Sequence, residues 1–92
     1  MENTILNDLN YSGALYRVRG ILRCIREQKA SVEEINAIER MTDDSVIVAG
    51  REVGAYARAA LQVLSVRDID INDTEATELL KMLPEECVHL LG

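Results

Sequence analysis

Tryptophan and phenylalanine are missing from this 92-residue chain, and tyrosine occurs only as Tyr11, Tyr16 and Tyr56. A core without those rings has to be filled by Leu, Ile, Val, Met and Ala. Basic residues are the minority, leaving a formal charge of −6, which argues against nucleic-acid affinity through a basic body. His89 is the only histidine, and no Cys, Ser or carboxylate stands with it in a nucleophilic arrangement. The two cysteines, Cys24 and Cys87, sit in apolar surroundings and away from any ligand spacing. They read as reduced core residues, so neither a disulfide nor a metal is expected. No stretch approaches the roughly 20 apolar residues of a membrane span. Residues 1–10 have neither a basic start nor a long apolar run, so no signal peptide is expected and the cytoplasm is the expected compartment.

What is abundant is small and aliphatic. In Asp43–Leu64, the residues Val46, Gly50, Val53, Ala57, Ala60 and Leu64 step by four and three, the seam of one helix. Ala49 and Leu61 widen it. Gly50 and Gly54 would together forfeit roughly 2 kcal/mol inside a helix, a loss that close backbone approach by a neighbour would offset. This stretch is therefore expected to be the central buried helix of a single domain spanning residues 1–92.

Around it, a short turn is expected within residues 1–10, docking Ile5, Leu6 and Leu9, and a break at Tyr11-Ser12-Gly13. Ser12 then caps a helix running to about Lys29, with Leu15, Val18, Leu22 and Ile25 as its seam and Ala14 and Ile21 beside it. Ser31-Val-Glu-Glu34 is a capping box that opens a short helix to about Met41, burying Ile35 and Ile38. Thr42-Asp43-Asp44 reads as a turn, and residues 65–73 as a loop. Asn72 with Glu75 repeats the capping pattern ahead of Leu79, Leu80 and Leu83. Pro84 suits the first position of a last short helix.

The order echoes itself at about 40 residues. Shifted by 39, Val18, Arg19, Leu22 and Ile25 fall on Ala57, Arg58, Leu61 and Leu64; shifted by 41, Glu34, Ile38 and Met41 fall on Glu75, Leu79 and Met82. With its short helix, Asp-containing turn and Val53, Ala57, Ala60 and Leu61 in the next helix, residues 33–64 resemble the HEAT-repeat family. Gly54 stands where an arginine is usual there, the first helix lacks a proline, and the turn is longer. The resemblance implies an all-α fold of four to five helices, HEAT-like antiparallel pairs in a compact right-handed stack whose inner face holds a partner. It implies no catalysis.

The polar residues are arranged unevenly. Residues 11–30 carry Arg17, Arg19, Arg23, Arg26 and Lys29 against Glu27 alone, a balance of +4, while residues 31–50 and 71–92 each stand at −4. Arg19, Arg23 and Arg26 share a helix face opposite the apolar seam. In the repeat register Arg58 lies beside Arg19, with Arg51 two turns earlier on the same face as Arg58. Arg19, Arg23, Arg26, Arg51 and Arg58, with Tyr56, are thus the candidate partner-binding residues, able to grip carboxylates or phosphates bidentately. The plainer alternative makes these arginines solvated cover paired with Glu33, Glu34, Glu39 and the acidic tail. Asp68, Asp70 and Asn72 begin like a calcium loop, but Asp73 replaces its glycine and Leu79 its bidentate glutamate.

The expected function is therefore a small non-enzymatic protein-binding module, an adaptor or inhibitor, without cofactor or metal. Two stacked pairs cannot cover both outer faces, so a homodimer or an obligate partner complex is expected. The competing reading is a mobile-element-encoded inhibitor of a nucleic-acid enzyme, acting through Glu33, Glu34, Asp43 and Asp44 as phosphate mimics. Direct nucleic-acid binding by the arginine strip ranks below both.

Overall fold

The computed structural model describes the backbone of residues 2–64 and 73–82, and side chains over residues 13–64, 74 and 76–81. It contains α1 (Glu2–Glu27), α2 (Val32–Arg40), a small antiparallel hairpin of β1 (Ile47–Val48) and β2 (Arg51–Glu52), α3 (Val53–Val63) and α4 (Asp73–Met82). The molecule is mostly helical, as its composition implies. Among the described residues no helix is long and apolar enough to cross a membrane.

Helix α1 runs through Tyr11-Ser12-Gly13 without the expected break, so Ser12 is not a cap. At an ordinary rise its 26 residues span about 39 Å, close to the 43 Å long axis of the molecule. Ala14, Leu15, Val18, Ile21, Leu22 and Ile25 are all buried, which makes one continuous apolar stripe and outweighs the poor helix propensity of Ser12 and Gly13. The helix stops at Gln28, whose φ of 55° is left-handed. There the Lys29 N–H donates to the Cys24 carbonyl at 3.3 Å and the Gln28 N–H to the Ile25 carbonyl at 3.2 Å, a Schellman closure made without glycine.

The capping box of α2 forms as the sequence implies. The Glu34 N–H donates to Ser31 Oγ at 3.1 Å, and Glu34 Oε1 accepts the Ser31 N–H at 2.9 Å. Residues 41–43 are a turn, closed by the Asp44 N–H donating to the Met41 carbonyl at 3.0 Å, with Thr42 Oγ1 donating back to the Glu39 carbonyl at 2.8 Å.

The stretch expected as one long helix is divided. Residues 47–52 are the hairpin, and only Val53–Val63 are helical. Its register pairs Ile47 with Glu52 and Val48 with Arg51, leaving Ala49 and Gly50 as a two-residue turn. Both have left-handed φ, 53° and 83°, the requirement of a type I′ turn whose twist matches the strands. Gly50 is therefore an exposed turn residue and not part of a helical seam.

Helix α3 is nevertheless the hub, packed against α1, α2 and α4. Val53, Tyr56, Ala57, Ala59, Ala60 and Leu61 are buried in it, and α4 adds Ala76 and Leu79 to the same core. Close approach occurs at Gly54, where a methyl group would stand 2.3 Å from the Thr42 carbonyl oxygen and 3.1 Å from that of Asp44. The backbone that presses on Gly54 belongs to the incoming turn, not to a neighbouring helix. That turn also caps α3: the Gly54 N–H donates to the Asp44 carbonyl at 2.9 Å and the Val53 N–H to that of Val46 at 2.8 Å. These main-chain acceptors replace a side-chain cap, which Glu52 does not provide.

The terminal cap segments Ile5-Leu6-Leu9 and Val88-Leu90-Leu91, the loop over 65–72, Asn72, Cys87 and the helix expected after Pro84 lie outside the described backbone or side chains.

Candidate functional site

The outward face of α1 carries Tyr16, Arg19, Arg23 and Arg26 at positions i, i+3, i+7 and i+10, so they rise along one side of the helix. Tyr16 is 69% exposed. Two hollows run between these side chains. One is lined by Tyr16, Arg19, Gly20 and Arg23, the next by Arg19, Leu22, Arg23 and Arg26.

Beside this face, α1 and α2 diverge to leave a groove of about 230 Å³. Tyr16, Arg17, Gly20, Ile21 and Cys24 form its α1 wall; Glu34, Ala37, Ile38 and Met41 form its α2 wall. Gly20 lines the groove, and a Cβ there would meet nothing within 4 Å.

Ion pairs hold both ends. Arg17 Nη2 donates to Asp44 Oδ2 at 2.9 Å, with side chains 36% and 20% exposed. Asp44 Oδ1 also accepts the Val46 N–H at 3.0 Å, so a single aspartate joins α1, the hairpin and the start of α3. The Arg17 Nε is buried without a hydrogen-bond partner. Toward the other end, Arg23 Nη1 donates to Glu27 Oε2 at 2.9 Å, and Arg23 Nη2 donates to Glu34 Oε2.

Glu34 thereby serves the cap, Arg23 and Cys24 together. Its carboxyl is held below the ordinary range chiefly by the Ser31 backbone N–H, with the Arg23 guanidinium adding to the effect. Arg23 is raised in turn, first by Glu34. The Cys24 thiol, 3.7 Å from Glu34 Oε2 and 1% exposed, is pushed up by burial and then by that carboxylate. A thiol kept protonated is a poor nucleophile, so this cysteine behaves as a core residue. No cluster of three metal-ligating side chains occurs among the described residues.

The residues singled out from sequence separate into two groups. Arg19, Arg23 and Arg26 are brought together on α1. Arg51 lies on β2 and not on the helix face of Arg58, because the stretch that would have aligned them folds as a hairpin. Arg58 points its guanidinium at the Thr42 carbonyl, 2.8 Å away, instead of extending the α1 strip. Tyr56 is corrected outright: it is fully buried, the largest such side chain in the core, and its hydroxyl donates to the Val48 carbonyl at 3.0 Å. It anchors the hairpin to α3 and offers no surface to a partner.

Sequence reasoning missed Tyr16 and Gly20. Their signal was available: a glycine in mid-helix, away from the seam and from any turn, four residues beyond an aromatic on the outward side. Comparison with protein-family models, curated proteins and solved structures returns no match. The functional reading rests on the chain's own geometry.

Proposed function

We propose that this chain is a small non-enzymatic protein-binding module, an adaptor or inhibitor, that docks an acidic partner on the arginine face of α1. The observation that carries the reading is the concentration of Tyr16, Arg19, Arg23 and Arg26 on one side of α1, beside an apolar groove, in a chain of net charge −6. Arginine and tyrosine are enriched at interfaces, where a planar fork or ring contributes contact at small entropic cost. Arg23 is paired with Glu27 and Glu34, and Arg19 has an interaction of its own, but exposed pairs are worth only about 0–1 kcal/mol, so a partner carboxylate can exchange into them. Arg51 and Arg58 fall outside this narrowed site.

HEAT-like pairing of α2 with α3, suggested by the family resemblance of residues 33–64, belongs to the same reading. So does self-association through apolar surface left uncovered at the ends. A homodimer or partner complex is the resulting expectation, with a cytoplasmic setting. Light scattering across the micromolar range tests it; a strict monomer with no partner would remove it.

The phosphate-mimic alternative draws on the acid excess and on Glu33 and Asp43, which are exposed. Its other two carboxylates, Glu34 and Asp44, are engaged in the internal bonds just described. Reversing Glu33 and Asp43 separates the two readings. The arginine-face reading expects partner binding unchanged, and the mimic reading expects it lost.

A further inference from the structure

The helical glycines Gly20 and Gly54 differ in kind. Gly54 is required by the backbone pressed against it, whereas Gly20 has open space where a side chain would go. In a helix interior glycine forfeits about 0.8–1 kcal/mol against alanine, and among the described residues no close contact at Gly20 calls for a glycine. The space it leaves opens onto an apolar floor of Ile21, Ile38 and Met41 and a rim bearing Tyr16, Arg19 and Arg23.

We propose that this groove seats one large apolar side chain from an acidic amphipathic helix of a partner protein, with carboxylates on the same helix meeting Arg19, Arg23 and Arg26. Size and charge select this occupant. The groove, about 230 Å³ and lined chiefly by apolar surface, has room for a single anchor residue, and the adjoining hollow of about 370 Å³ between Tyr16, Arg19 and Arg23 leaves room for the carboxylates beside it. Residues 11–30 balance at +4 in a chain of −6, so an acidic helix finds complementary charge along this part of α1. A helix laid along the groove presents its anchor inward and acids three and four positions away toward the arginines. The inference rests on the arginine-face reading and adds to it the anchor, its place and the helical form of the partner.

The test is a display library of helical peptides about four turns long, selected on the intact protein at physiological salt. Enriched sequences should carry several Glu or Asp and one large apolar residue on a shared face. Two groove-filling variants, Gly20→Leu and Ala37→Leu, and one charge variant, Arg19→Glu with Arg26→Glu, are then titrated with the best labelled peptide, after melting curves establish that each is folded. Weakening of about tenfold or more in both the filled and the charge-reversed proteins supports the groove assignment. Weakening by charge reversal alone overturns the anchor while leaving the arginine face standing. Selection of peptides without acidic residues, or of none, overturns both.

Discussion

Gly54, Asp44 and Glu34 each do several jobs at once, and each fails in a different way when changed. Adding a single methyl at Gly54 drives it into the Thr42 carbonyl, which is main chain and cannot swing aside. Gly54→Ala should lower stability by about 1–3 kcal/mol despite alanine's better helix propensity, read by urea denaturation. An unchanged midpoint would mean the turn yields freely. Asp44 reads in sequence as a turn residue or a phosphate mimic, not as an ion-pair partner, because Arg17 is 27 positions away. Glu34 has a folded-state pKa below its unfolded value, so its contribution is present above about pH 4.5 and is lost as pH falls through the folded value. Melting temperature should fall through that acid range in the wild type, and less steeply in Glu34→Gln. Parallel pH profiles would show that the carboxylate adds nothing. Tyr56 shows the limit of residue-level reading, because an aromatic's burial is decided by what packs over it.

Local rules served best for elements whose causes are local. The capping box at Ser31 opens α2 where the sequence places it, and the Leu15-Val18-Leu22-Ile25 seam is buried in full. The hairpin was hidden because Val46-Ile47-Val48-Ala49-Gly50 satisfies a helical period as well as a strand pair, and Ala-Gly is a weak turn signal beside Asn-Gly. What decides for the hairpin is tertiary: Val48 is fully buried under Tyr56, and the carbonyls of Asp44 and Val46 are aimed at the first amides of α3. Ala49 bears the cost, a left-handed φ that alanine rarely adopts. Ala49→Asn should therefore stabilise the protein by about 0.5–1 kcal/mol, measured as a rise in urea midpoint. A loss of stability would indicate that the turn does not have the I′ form. The continuity of α1 was missed for the opposite reason. Ser12 and Gly13 look like a local stop, but a cooperative helix anchored by a long buried stripe runs past them.

For the whole molecule, fold class was legible and the site only partly so. Small and aliphatic composition together with alternating caps pointed to helices around α3, and the charge asymmetry of residues 11–30 pointed to α1. The groove, its glycine gap and the departure of Arg51 and Arg58 from the strip depend on how helices separate, which no periodicity encodes. In the proposed reading, a basic face on α1 of a chain of net charge −6 steers an acidic partner to one side of the molecule. Affinity carried this way should fall with rising salt, as exposed charges are screened beyond about 8 Å at physiological ionic strength.

Co-purification from the native cell with wild-type protein and with the Arg19→Glu, Arg26→Glu double variant puts that picture to its most direct trial. This variant leaves the Arg23–Glu34 pair intact and tests the face without disturbing the α2 cap. The expected result is a partner retained by the wild type, released by salt, and absent from the double variant, with a melting curve establishing that the variant is folded. Equal recovery of the same partner by both proteins would contradict the assignment of α1 as the binding face.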